Sequence, residues 1–249
     1  QVVFAFVFVL IVLWILKTRN ISREKELLLA SVRMTIQLVL VVFLLTYIIE
    51  NPHPIVTFSI ILLMVGFAVL TIYRKFKTKL SISLKKVIAI ALSCGGLPVL
   101  LYFMWVVVQV TPYYNPQYFI PITGMIIGNS MTGISLAVGE VTRRFGSQTE
   151  EIEEALILGA SPKEASHNII NDAFDQAIMP TLNSMLGMGI IFLPGMMTGQ
   201  ILSGTAPTTA ILYQIAVMLG ILGGVSLSTF IFLKLSYKTY FNHHAQLIK

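Results

Sequence analysis

Charge is what this chain most lacks. Asp, Glu, Lys and Arg make up 11% of its 249 residues, where a soluble domain carries roughly a quarter, so an ordinary soluble fold is excluded. The lone cysteine, Cys94, excludes an internal disulfide; set in an apolar run, it is expected to be a small core residue. No GxxxxGK[ST] phosphate loop occurs, so the chain does not hydrolyse ATP by that route. His-x-x-x-His and Cys-x-x-Cys spacings are also missing, and with them the usual signs of a fixed metal site. No Ser, His and Asp set falls at one membrane depth, which argues against a membrane hydrolase.

What is present is apolar. Hydrophobic residues make up 56% of the chain and the mean hydropathy is +0.83. An all-α polytopic membrane protein is expected, with room for about seven helices of ~20 residues and therefore one membrane domain over residues 1–249. Apolar runs place spans near 1–16, 34–50, 54–73, 87–110, 119–141, 183–203 and 207–235. The first is short for a ~30 Å hydrocarbon core, which suggests residues missing before Gln1. A cleaved signal peptide is the competing reading, disfavoured because KTRNISREK follows rather than a small-residue cleavage site.

The polar connections alternate in charge. Basic residues cluster at Lys17, Arg19, Arg23, Lys25 and Arg33, at Arg74, Lys75, Lys77, Lys79, Lys85 and Lys86, at Arg143, Arg144 and Lys163, and at Lys234, Lys238 and Lys249, while 50–54, 111–118 and 203–207 hold no Lys or Arg. Positive loops stay inside, so the chain is expected in the cell membrane with its N-terminus outside and its C-terminus cytoplasmic. The net charge of +6 then records topology and contact with membrane lipid, not nucleic acid. Tyr113, Tyr114, Tyr118 and Phe119 fit an interfacial aromatic belt.

Between the fifth and sixth runs, residues 142–182 read as a cytoplasmic helical hairpin. With Glu140 just upstream, the region holds eight of the eleven acidic residues. Ser147 and Glu150 have capping-box spacing, and Glu150, Glu151, Glu153 and Glu154 crowd the first turns, where the helix dipole favours them. The first helix should end near Leu158, at Gly159, a residue suited to a left-handed C-terminal position. Ser161-Pro162-Lys163-Glu164 restarts helix with a second capping box and Pro at the first position. Ala165, Ile169, Ala173 and Ala177 then form one apolar stripe, and Pro180 marks a bend back into the membrane.

Spans five to seven carry the unusual apolar sequence. Gly195-x-x-x-Gly199 is a close-approach spacing of packed membrane helices, and Pro194 removes a backbone hydrogen bond, so the sixth span suits a dimer seam or a gate. Asn129, Gln200 and Gln214 are amides in apolar surroundings, and Met131, Met188, Met196 and Met197 are adaptable fillers or thioether donors for a soft ion. Together these residues are the candidate pathway and gate. The metal ligands are unknown; Met196, Met197 and Glu140 are weak candidates, and Glu140 also reads as an interfacial helix-end charge.

Two resemblances follow from these residues. Glu153-Glu154-Ala155-x-x-x-Gly159 resembles the EAA...G signature of ABC-transporter permeases, with Glu154 in place of the middle Ala and the later Ile-x-Leu-Pro met loosely by Ile169 and Pro180. The run LGAS before Pro162, GMIIGNSM at 124–131, LPGMMTGQILSG at 193–204, and Ala206, Pro207 and Tyr213 to Ile215 resemble the FetB-type permeases over nearly the whole chain. That resemblance implies a bacterial permease subunit for iron export or metal-stress tolerance, with plant relatives linked to aluminium tolerance. It also implies a homodimer paired with a cytoplasmic ABC ATPase that carries the ATP and Mg, no cofactor being bound by this chain, and a coupling role for Glu153, Glu154, Ala155, Gly159, Ala160, Ser161 and Pro162. An importer, a permease for a non-metal cargo, a channel or secondary carrier, and a membrane sensor or scaffold are the rivals.

Overall fold

The computed structural model describes residues 2–76, 80–242 and 244–248. Gln1, Lys77, Lys79, His243 and Lys249 lie outside the described residues. Among the described residues the fold is all-α, with no strand and two isolated bridges. Among the described residues, five helices are long and apolar enough to cross a membrane: Glu24–Glu50, Pro54–Lys75, Ile82–Val107, Pro116–Ser147 and Pro207–Tyr240. The chain is a multi-pass membrane protein, and it divides into two compact units, Gln1–His53 and Pro54–Lys249.

The first unit is a helix pair, α1 (Val2–Thr18) and α2 (Glu24–Glu50). Asn20 turns the chain between them at φ 53°, a left-handed position that Asn tolerates. Phe8, Trp14 and Phe43 are each about 70% exposed. Apolar surface of this extent is stable only in lipid, where outward-facing Leu and Phe meet their like.

The second unit contains α3 (Pro54–Lys75), α4 (Ile82–Tyr102), α5 (Pro116–Ser147), α6 (Thr149–Ile157), α7 (Pro162–Ala165), α8 (His167–Gly187), α9 (Gly195–Leu202) and α10 (Pro207–Ser236). Helix α10 packs against α4, α5, α8 and α9, and α5 packs against α3, α4 and α8. One core cluster joins Ile72, Ile88, Leu92, Ile134, Val138, Ala173 and Phe232; a second joins Leu100, Phe103, Met104, Phe119, Ile126 and Val217. Glycine permits the closest contacts. A Cβ at Gly95 would stand 2.4 Å from Ser228 Cα, and one at Gly224 2.7 Å from Ile126 Cγ2. Within the chain, Gly195 and Gly199 of the sixth run are not such positions: nothing lies within 4 Å of a Cβ built at either.

Several boundaries depart from the sequence reading. Residues 183–203 are not one helix. Helix α8 ends at Gly187, Gly189 takes φ +83°, Met188 bridges to Phe192, and Pro194 stands as N-cap of the eight-residue α9. Pro180, expected at a bend, lies inside α8. The stripe Ile169, Ala173, Ala177 and Thr181 stays buried straight through it, so packing outweighs the roughly 3 kcal/mol that an internal proline costs. Cys94 is exposed on α4, not in the core, because its neighbours Gly95 and Gly96 occupy the buried side of the helix. Helix α4 holds Pro98 and runs into a π-turn at Phe103–Val107, in which the Val108 N–H donates to Phe103 O at 2.9 Å.

Candidate functional site

At the end of α5 the chain makes a long polar excursion through α6 and α7. Helix α5 continues to Ser147, beyond the expected end near 141, because Val141 and Phe145 remain buried and Phe145 stacks on Tyr240 with ring centroids 4.1 Å apart. This extension removes the first expected capping box. Ser147 stays within α5, its hydroxyl 3.5 Å from Arg144 O, and Gln148 caps α6 without a side-chain hydrogen bond. Ile152, 2% exposed, anchors α6 to the core.

The turn out of α6 forms as its residues dictate. Gly159 takes φ +95°, its N–H donates to Leu156 O at 3.1 Å, and the Ala160 N–H donates to Ala155 O at 3.0 Å. These two bonds close the helix end in the Schellman pattern. The second capping box is complete. The Glu164 N–H donates to Ser161 Oγ at 3.4 Å, while Glu164 Oε2 accepts from the Ser161 N–H at 2.8 Å and from its hydroxyl at 2.6 Å. The two Ser161 donors hold the Glu164 carboxyl below the usual carboxylate range, against a small opposing effect of burial. Pro162 opens α7, and the Ser166 hydroxyl donates to Pro162 O at 2.7 Å where the chain turns into α8. Glu153 and Ala155 are half-buried, Glu154 faces out, and the tip presents Ile157 and Leu158 at 84% and 88% exposure. Nothing in periodicity singled out those two side chains; their position immediately before the glycine turn was the available signal.

An ion network ties this hairpin to the membrane helices. Glu140, 5% exposed, accepts from Arg143 Nε at 3.1 Å and Nη2 at 2.6 Å and from Arg144 Nε at 2.5 Å, and Arg144 Nη1 reaches Asp172 Oδ2 at 2.6 Å. Both carboxylate oxygens of Glu140 are therefore engaged by guanidinium groups. It braces Arg144, which in turn reaches Asp172 of α8, and as a metal ligand it would have to exchange these guanidinium partners. Among the described residues, no three His, Cys, Asp or Glu side chains gather as a metal site.

At the other end of the unit, α5, α9 and α10 surround a cavity of about 470 Å³. It brings together Met196 and Gln200 from α9, Gln117, Tyr118 and Met125 from α5, and Tyr213 from α10. Gln200 Oε1 and the Tyr213 hydroxyl are buried without a hydrogen-bond partner among the described residues, as is Gln214 Oε1 next to Tyr213 in α10. A buried polar atom left without a partner costs ~1–3 kcal/mol, and of these three residues Gln200 and Tyr213 line the cavity. Met125, Met185, Met188 and Met196 all pack against the second core cluster, and Met197 is buried. Pro194, Gly195 and Gly199 lie along the broken segment that leads to the cavity. Asn129 and Met131 do not join it: Asn129 Nδ2 donates to Met125 O at 2.7 Å on the exposed side of α5, and Met131 packs on the other cluster. Pro121 and Ile122 complete the lining; Gln117, Tyr118, Met125 and Tyr213 were not singled out as pathway residues, and the two-turn spacing of Tyr118 and Met125 along α5 was the available signal.

The profile of the Uncharacterised protein family (UPF0014) matches residues 1–241. The chain is 31% identical over 241 residues to the UPF0014 membrane protein YjkA of Bacillus subtilis (strain 168), covering 97% of this chain and 94% of that protein. It is 32% identical over 244 residues to the Probable iron export permease protein FetB of Escherichia coli (strain K12), covering 98% and 92%. To Protein ALUMINUM SENSITIVE 3 of Arabidopsis thaliana it is 30% identical over 243 residues, covering 98% and 87%. No solved structure matches. A full-length profile match over an all-helical membrane fold, with the expected glycine turn and capping box in place, leaves one assignment: the chain belongs to the UPF0014 family of membrane proteins.

Proposed function

We propose that this chain is the permease subunit of an ABC transporter, exporting iron or another metal with ATP hydrolysed on a separate cytoplasmic ATPase. The observation that carries the reading is the hairpin. A doubly closed turn at Gly159 and Ser161, an exposed apolar tip at Ile157 and Leu158, and the Glu140–Arg144–Asp172 link at its base form a rigid knob joined to the membrane helices. A rigid knob transmits rigid-body movement of a docked partner. Two exposed large aliphatic side chains on a polar excursion are the apolar centre that a protein interface needs. The name of the Escherichia coli relative supports the permease role and suggests iron as the cargo.

The basic loops face the cytoplasm in this reading, so the α5–α9–α10 cavity opens in the outer half of the membrane. Its amide, phenol and thioether groups carry no net charge. Neutral donors hold a cation loosely and release it, as a pathway requires. Two copies pair through the open Gly195 and Gly199 face of α9, recruit two ATPases, and alternate access by moving α8 and α9 against α10. In inside-out vesicles containing this chain and its ATPase, labelled iron accumulates on ATP addition and does not when the ATPase is inactive. ATP hydrolysis by an intact complex with no accumulation would discard iron and keep the permease; no recruitment of an ATPase by the hairpin would discard the permease.

A further inference from the structure

A second cavity, about 690 Å³, lies between α8 and α10 at the end where both meet the hairpin. It falls within the ~300–1,000 Å³ of ordinary ligand sites. Its lining includes three lysines, Lys163, Lys234 and Lys238. None of the three makes an ion pair among the described residues, and the nearby carboxylates are few. Asp172 is paired with Arg144, Glu164 is bonded to Ser161 and feels the charge of Lys163, and Asp175 is the carboxylate in the lining. His167 is bonded to Asn171 at 3.0 Å. The lining is also apolar in part: Phe174 and Phe230 line the groove, and Lys234 Nζ stands 5.9 Å from the Phe230 ring centroid. Phe230 and Leu227, 55% and 39% exposed, carry that apolar wall along α10 into the span.

We infer that this groove binds one anionic phospholipid, its phosphate among Lys163, Lys234 and Lys238 and an acyl chain along Phe230 and Leu227. Lys234 sits in the last turn of α10 and Lys238 in the turn after it, the level at which a long apolar helix leaves the hydrocarbon. Basic pockets between helices at that level hold acidic headgroups. A free phosphate would use the lysines but not the apolar wall, and a second copy of the chain would set lysine against lysine. The inference does not require the transport reading; it needs only that α10 spans a bilayer.

The test uses the whole chain in non-ionic detergent, with phosphatidylglycerol or phosphatidylcholine added and retained lipid read by native mass spectrometry. Wild type retains one phosphatidylglycerol and releases phosphatidylcholine. Lys163→Gln/Lys234→Gln/Lys238→Gln weakens retention by roughly tenfold or more with helicity unchanged, while Lys17→Gln/Arg19→Gln/Arg23→Gln, an equal loss of charge on the first unit, leaves it as it was. Equal loss in both triples would mean diffuse attraction and overturn the site. Unchanged retention in the first triple, or displacement of the lipid by millimolar inorganic phosphate, would overturn it too.

Discussion

Single residues at the hairpin turn make sharply separable claims. Gly159 has φ +95° and open space around it, so its requirement is backbone conformation and not size. Gly159→Val strains a position that L-residues avoid by roughly 1–2 kcal/mol and is expected to uncouple ATP hydrolysis from transport or to lower ATPase recovery in co-purification. Gly159→Asn, which tolerates the left-handed region, keeps both. Ser161→Ala removes an N-cap, at a cost of about 1 kcal/mol. The same cap gives a pH dependence. The Glu164 carboxyl is held below its ordinary range, so the cap's contribution is complete above the unfolded value and is lost as pH falls through the lower folded value. The protection factors of the amides around Ser161 and Glu164, after correction for the pH dependence of intrinsic exchange, should therefore fall only on acidification below the usual carboxylate range. Both turns were legible in the sequence because a cap is local: four residues hold all the information. The Ser147–Glu150 pair looked equally good and failed, since a distant ring, Tyr240 against Phe145, kept α5 helical past its expected end.

At the scale of elements, α5, α8 and α10 depend on two kinds of contact. Glu140→Gln leaves Arg144 with only Asp172 and is expected to lower stability by about 2 kcal/mol, less than the ~3–5 kcal/mol of a fully buried pair because Arg143 is 62% exposed. Thermal unfolding in detergent reads it, and Asp172→Asn should lower the same transition by less. The glycine contacts are less forgiving. Gly95→Leu drives a side chain into the Ser228 backbone, and overpacking of this kind costs at least ~1–3 kcal/mol; unfolded or unrecoverable protein is the expected outcome, with Gly128→Leu, which meets nothing within 4 Å, as the folded control. The apolar runs 54–73, 87–110 and 207–235 overlap α3, α4 and α10, because a long apolar helix announces itself by length. Hydropathy merged the end of α8, the turn at 188–194 and α9 into one span, because composition does not distinguish a continuous apolar helix from an interrupted one. Gly189 and Pro194 were visible, but a proline inside α8 at 180 shows that the residue type alone does not decide a break.

Across the whole molecule, the all-helical membrane class was legible from the scarcity of charge, and the family from motifs spread along the chain. The cavity between α5, α9 and α10 was legible only in part. Met196 and Gln200 stood out, whereas Tyr118 and Tyr213 join them through the packing of α10 against α5, which no sequence period encodes. Replacing Gln200 with Leu removes a buried oxygen without a partner and keeps the volume similar, so the transporter should fold at least as well and move cargo more slowly; flux per ATP in vesicles measures it. The contact of α4 with α10 has a mechanical consequence. Where Gly95 meets the Ser228 backbone there is no layer of side chains to rearrange, so the two helices behave as a single stiff beam. Flexing is therefore expected away from that contact, at the π-turn 103–107 and in the non-helical stretch 188–194, where the regular α-helical hydrogen-bond ladder gives way.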